Sequence, residues 1–299
     1  MAEITRRRTG ELLRKLFEIL IKNPEGLKAG IALEQLADAV TLTAYEAGNY
    51  ESTGTRRFDK IVRFATVDCS KAGWLLKQKG VWTVTEAGLQ AYKTITDAEA
   101  FYREAVRLYN VWKSSQTGEP ASPVEIARDV EASSESATIT YEQAEEQAWS
   151  EIEKHLHNMN PYDFQRLVAD LLKAMAYHVA WISPPGKDGG VDIIAFTDPL
   201  GTKLPRIKVQ VKRVEQKIDI NGLKSFLAII GDHDVGLYVS IGGFTKDAEE
   251  FARSQERRQI TLIDLDRLVD LWVEHLAKLD ELARRRLPLT PIYFLAPEG

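Results

Sequence analysis

The chain has 299 residues, 44% of them apolar and 28% charged, with a formal charge of -5; this excludes a chain disordered throughout and allows two domains of ordinary size. A single cysteine, Cys69, excludes an internal disulfide framework, and no clustered Cys and His residues suggest zinc. The basic, amphipathic start lacks a signal-peptide core and cleavage site, and no run approaches a membrane span, so a cytoplasmic protein without membrane partners is expected.

The charge is unevenly spread. Lys203 to Lys224 holds seven Lys or Arg against two acids, whereas Asp129 to Glu153 holds eight acids and no base. Local sign governs phosphate contacts more than the total does.

In chain order, residues 10–23 read as a helix with Leu12, Leu13, Phe17, Leu20 and Ile21 on one side, and Ile31–Val40 as a second after the Gly26 to Gly30 break. Residues 57–79 read as one or two further helices, and a short strand pair is expected around Val81–Val84. Thr85 then caps a helix running to Lys93. Three helices followed by a small β element make a winged helix, and Trp82 falls in or near its wing, where core packing and contact with a base or sugar both remain open. Glu99–Trp112 is helical. Ser114–Ser136, with Gly118, two prolines and six serines, reads as a linker with a short helix inside it, and Tyr141–His157 as an acidic helix. The expected domains are therefore 1–113, a linker over 114–140, and 141–299.

The second half reads helix, strand, strand, strand, helix, strand, helix. Asn160-Pro161 starts a helix burying Phe164, Leu167, Val168, Leu171, Leu172 and Met175. Strands follow over His178–Ile182, Val191–Phe196 and Ile207–Val211, with Asp198–Lys203 as the turn between the last two. Ile220–Ile230 is helical, Val235–Ser240 an apolar strand, Thr245–Ser254 a helix, Thr261–Ile263 a last short strand and Asp264–Leu279 a final helix. This interleaving indicates an α/β mixed sheet covered by helices.

The segment GGVDIIAFTDPLGTKLPRIKVQVKR carries the chemistry. Positions i and i+2 of a strand face the same way, so Gln210 and Lys212 lie side by side while Val209 and Val211 turn into the core. An amine and an amide carbonyl beside Asp192 suit a divalent cation and the water it polarises, which is nuclease-like chemistry. Taken alone, Gln210 and Lys212 also fit the solvent face of an edge strand, and Asp192 a turn cap.

The run NPYDFQRLVADLLKAMAYHV, followed by GKDGGVDIIAF, IKVQVKR, GGFTKDAEEFA and ITLIDLDRLVDL, resembles the catalytic domain of Mrr-type restriction endonucleases over about residues 158–275. That family belongs to the PD-(D/E)xK nuclease superfamily, in its QxK branch. The segment CSKAGWLLKQKGVWTVTEAG is similar to the Mrr N-terminal domain. The resemblance implies a C-terminal restriction-endonuclease-like domain behind an N-terminal winged helix. It implies Asp192 as the metal-binding aspartate, Gln210 in place of the second acidic ligand, and Lys212 orienting the attacking water, with Mg2+ or Mn2+ as the metal. Where the family often has Phe-Glu on the helix before the sheet, this chain has Phe164-Gln165, and Gln165 becomes the candidate for orienting water or metal. The activity implied is type IV restriction, cutting modified, typically methylated, foreign DNA.

For DNA contact the candidates are Lys60, Arg63, Lys71 and Lys77 in the expected recognition region Phe58–Gln78, and Arg213 and Lys217 beside the pocket, where each is either a phosphate contact or a solvated charge. Thr245 either caps its helix or leaves that helix's amides for phosphate. Two strand breaks need two active sites or repeated nicking, so a homodimer or larger assembly is expected. No GxxxxGK[ST] loop is present, which argues against ATP-driven translocation in this chain. Two alternatives stay open: a DNA-binding or damage-signalling protein whose nuclease fold no longer cuts, and a structure-specific repair nuclease.

Overall fold

A computed structural model describes residues 5–49, 56–117, 128–186 and 189–293. The chain divides into two units, the first reaching Trp149 and the second running Ser150–Ile292.

In the first unit, helix α1 (Arg6–Ile21) is capped by the Thr5 hydroxyl and buries Leu12, Leu13, Leu16, Phe17 and Leu20, the apolar face that its sequence spacing requires. The two-residue strand β1 (Leu27–Lys28) leads into α2 (Ala29–Ala39), and the short α3 (Ala44–Ala47) is set by a capping box between Thr43 and Glu46. Helix α4 (Arg57–Lys71) stops earlier than the sequence reading of 57–79. Gly73, at φ +75°, takes the left-handed conformation that ends it, and Leu75–Gln78 forms strand β2 instead. Leu75 and Leu76, inside the segment read as helical, therefore lie on a strand, Leu75 buried and Leu76 exposed. A turn at Lys79-Gly80, both at positive φ, returns the chain as β3 (Val81–Val84). The resulting antiparallel sheet has the order β1-β3-β2. Thr85 caps α5 (Glu86–Thr94) through Gly88 N, followed by α6 (Ala98–Thr117). Trp82 is buried in the core that these helices share.

Helix α7 (Arg128–Asn158) is continuous across the point where the units divide, which lies inside it and not in the serine-rich stretch; residues 118–127 of that stretch lie outside the described residues.

The second unit starts with α8 (Pro161–Ala174), whose Asn160 side chain caps Tyr162 N and whose Pro161 occupies the first turn, where a missing N–H costs nothing. Strands β4 (His178–Ile182), β5 (Ile193–Phe196), β6 (Arg206–Lys212), β7 (Asp234–Ser240) and β8 (Ile260–Ile263) form one sheet in sequence order, antiparallel from β4 to β6 and parallel from β6 to β8. Asp198 closes the β5–β6 turn by accepting from the amides of Leu200, Thr202 and Lys203. The parallel pairings need crossovers, supplied by α9 (Ile220–Leu227) and α10 (Lys246–Arg253). Their Leu223, Phe226 and Ala248 pack with Tyr238 of β7 and with Phe244. Helix α11 (Leu265–Glu274) ends sooner than expected and gives way to a 3-10 turn and a short α12 (Glu281–Arg286). The mixed sheet flanked by helices is the expected fold class. Among the described residues, no helix is long and apolar enough to cross a membrane.

Candidate active site

Asp192 stands one residue before β5, alongside the central strand β6. Its backbone N–H donates to Val209 O at 2.8 Å, and its side-chain Oδ2 accepts from Val211 N at 2.7 Å. The carboxylate is thus pinned to the backbone between Gln210 and Lys212 and is buried. An exposed edge would leave Val211 N facing water; here the aspartate fixes both its own position and the register of the strand carrying its neighbours.

The alternation expected of β6 holds as far as Val209, which is fully buried beside the half-buried Lys208 and Gln210; Val211, expected in the core, is half-buried like Lys212. In the parallel pairing with β7, Gln210 lies opposite Tyr238 and Lys212 opposite Ser240, so these four side chains share one face of the sheet. Ser240 is completely buried, and its Oγ has no hydrogen-bond partner among the described residues. A buried hydroxyl in that condition is costly unless something polar meets it. Burial, with the Asp192 charge nearby, pushes the Tyr238 phenol up to about 12, so it stays protonated and is no base. In the sequence Ser240 stands out only as the end of an apolar strand; the β6–β7 register brings it beside Lys212.

Gln165 is buried on α8, and its Nε2 donates to two backbone carbonyls, Asp192 O at 2.8 Å and Ser183 O at 3.1 Å. Both partners are acceptors, which fixes the amide nitrogen on that side. The group expected to orient water or metal instead ties α8 to the backbone of Asp192. The neighbouring Asp163 points elsewhere and pairs with Arg166 at 3.3 Å. Lys187 and Asp188 lie outside the described residues.

The donor set fits a hard divalent cation: a buried carboxylate just before β5, an amide side chain on β6 and a buried hydroxyl on β7, all with oxygen as the ligating atom. Among the described residues there is no group of three or more His, Cys, Asp or Glu side chains arranged to hold a metal ion, so a metal here would rely on Asp192 for charge and on neutral oxygens for the rest.

The cations expected to meet DNA have different surroundings. Arg213 donates to the carbonyl of His157 at the end of α7, and its Nε is buried without a partner; Lys217 is exposed. In the first unit, Lys60 and Lys71 lie over the rings of Phe64 and Trp112, at 5.7 and 4.2 Å from the centroids. Arg63 and Lys77 do not face solvent: Arg63 donates to Glu146 and Lys77 to Glu142, each at 2.8 Å. In this arrangement α7 stands between those two cations and any phosphate. Thr245 caps α10 by accepting from Ala248 N at 3.3 Å.

The family described as "Restriction endonuclease" matches residues 156–272, and the family described as "Mrr N-terminal domain" matches residues 11–94. A protein of Escherichia coli (strain K12), type IV methyl-directed restriction enzyme EcoKMrr, is 24% identical over 283 residues, which cover 89% of this chain and 91% of that one. The MspJI restriction endonuclease, solved in complex with a 27-mer oligonucleotide, shares 16% identity at a TM-score of 0.35; the match covers 72% of this chain and 50% of that one.

Proposed function

Because the chain belongs to the Mrr-type restriction endonucleases, we propose that this DNA nuclease hydrolyses phosphodiester bonds of methylated double-stranded DNA with magnesium or manganese. The observation that carries the site assignment is the anchoring of Asp192 Oδ2 on Val211 N, which holds the carboxylate between Gln210 and Lys212.

In this reading Asp192 and the Gln210 carbonyl oxygen would hold the cation, and the Ser240 hydroxyl would be the further oxygen on the same face. The cation would draw charge from the scissile phosphate and make water more acidic. Lys212 orients the attacking water and offsets the negative charge that builds on the phosphate oxygens as the phosphorus–oxygen bond to the leaving group breaks. Gln165 acts through the backbone by fixing the carbonyl of Asp192. A neutral amide ligates more weakly than a carboxylate, so cation affinity without DNA would be low.

The N-terminal unit acts as a winged-helix module that places the chain on duplex DNA, with α4 as its recognition helix and the β2–β3 hairpin as the wing. Methyl direction is carried over from the Escherichia coli relative, a type IV methyl-directed restriction enzyme. Breaking both strands calls for two such sites, hence a homodimer or larger assembly. The test is incubation of wild type and Lys212→Ala with methylated and unmethylated plasmid in magnesium, manganese or EDTA. The expected result is metal-dependent cutting of the methylated plasmid, strongly slowed in the variant. Equal cutting of both plasmids would remove the methylation claim. DNA binding without cutting in any condition would instead favour a non-cleaving DNA-binding protein, a reading that a single site carboxylate among the described residues also supports.

A further inference from the structure

The acidic run of α7 has a structural destination within the first unit. The Glu146 carboxylate is shared: one oxygen accepts from the Gly30 amide at 3.1 Å and the other from Arg63 Nη2 at 2.8 Å. Gly30 lies in the first turn of α2, where backbone N–H groups have no partner inside the helix and the dipole favours an anion. One helical turn earlier, Glu142 takes both its oxygens to Lys77 Nζ, at 2.8 and 3.1 Å. Gly80, in the hairpin turn, leaves the room α7 needs, since a side-chain carbon there would come within 3.0–3.2 Å of Glu146.

Three features mark this as an anion site and not only a helix-docking contact. A helix N-terminus, a guanidinium and an ammonium converge on two carboxylates, which is also the donor set that recognises a phosphate diester. Arg63, although buried, keeps its Nη1 without a hydrogen-bond partner among the described residues, so the guanidinium is under-used by its present occupant. Arg63, Lys71 and Lys77 also line a cavity of about 180 Å³ beside Glu142 and Glu145, and this cationic wall belongs to the recognition helix and the wing. Burial pushes the Lys77 amine down despite Glu142 against it, and burial with Glu142 nearby raises the Glu145 carboxyl; neither charge is well accommodated as α7 now sits.

We infer that Arg63, Lys77 and the Gly30 amide form a binding site for backbone phosphates of DNA, which Glu142 and Glu146 of α7 occupy as intramolecular substitutes. DNA then engages the first unit fully only by displacing the α7 carboxylates, and α7 sets the affinity of the free protein. This rests on the DNA-nuclease reading and specifies where part of its affinity is held back.

The test uses the full chain and a duplex oligonucleotide, with binding measured across a range of salt. Glu142→Gln/Glu146→Gln keeps the shape of both side chains and removes their charge. It is expected to bind roughly tenfold more tightly at moderate salt, and the slope of log K against log salt should steepen by about 2, since each phosphate neutralised adds about 0.9. Adding Arg63→Gln and Lys77→Gln to that variant should cancel both gains. Thermal melting checks the fold, and Glu142→Gln alone, which disturbs one ion pair, should give a smaller gain with a slope change of about 1. Unchanged or weaker binding with an unchanged slope in folded variants, while the wild type still binds and cuts DNA, overturns the masked site and leaves the nuclease reading standing. A folded wild type that neither binds nor cuts any duplex overturns the nuclease reading, and the masked site with it.

Discussion

Replacing Gln165 by glutamate should damage this protein. Gln165 Nε2 serves Asp192 O at 2.8 Å and Ser183 O at 3.1 Å in a buried setting. Gln165→Met removes both donors at nearly constant volume. Asp192 O keeps its bond from Ser183 N, but Ser183 O loses the donor that Gln165 gave it. One lost hydrogen bond at about 1 kcal/mol and one poorly satisfied buried carbonyl at about 1–3 give a total of about 2–4 kcal/mol. In Gln165→Glu the ionised side chain would place a carboxylate oxygen against those two carbonyls, whereas the protonated acid keeps one donor. The folded state therefore raises the pKa of this glutamate. Its stability holds below the ordinary glutamate value of about 4.3 and falls as pH climbs toward the raised folded value. Urea denaturation at pH 5 and pH 8, followed by tryptophan fluorescence and circular dichroism, should find Gln165→Glu less stable than wild type at both and worse at pH 8, with Gln165→Met showing no such difference. A glutamate variant as stable as wild type at pH 8 and faster at cleavage would refute the positioning role.

Four further outcomes are expected. Asp234 accepts from Arg206 at 2.9 Å and Lys208 at 3.0 Å; burial works to raise its carboxyl, but the hydrogen bonds from Arg206 and Lys208 win and hold it at about 2. A depressed folded pKa contributes stability above the unfolded value and loses it on acidification, so the advantage of wild type over Asp234→Asn, about 1–2 kcal/mol at pH 7, should disappear as pH falls from about 4 to about 2 in equilibrium denaturation. Alanine ordinarily outdoes glycine inside a helix by about 1 kcal/mol, yet Gly10→Ala should lower the melting temperature of the first unit, because its side-chain carbon would fall 1.9 Å from Ala98 O. Gln210→Glu should lower the magnesium concentration needed for half-maximal cleavage, and Lys212→Ala should slow cleavage about 10²–10⁴-fold while DNA binding in gel shifts persists.

Much of the second unit is legible in the sequence because its signals are local and agree with one another. Asn160-Pro161 ahead of a 3.6-residue apolar period gives α8, and Thr245 caps α10 as its position suggests. The β6 alternation puts Gln210 and Lys212 on one face without any tertiary information. The first unit misleads where periodicity is too short to decide: Leu75 and Leu76 fit a helix face as well as a strand until Gly73 turns left-handed. Strand β1 has two residues and α3 four, below any usable period.

The site shows the same division. Residue types and spacing suggest Asp192, Gln210 and Lys212, but the Oδ2 contact with Val211 N, the opposition of Ser240 to Lys212 and the commitment of Gln165 to two carbonyls depend on strand register and on the packing of α8. For Arg63 and Lys77, charge and position on the recognition segment gave no sign of burial. That depends on carboxylates more than sixty residues later in the chain.

The most direct test of the account is plasmid cleavage by wild type and Asp192→Ala at matched concentration, in magnesium and in EDTA, with circular dichroism and gel shifts confirming that the variant folds and binds DNA. The account predicts nicked or linear product from wild type in magnesium, none in EDTA, and none from the variant in either. Undiminished cleavage by folded Asp192→Ala would contradict it and move the nuclease centre elsewhere.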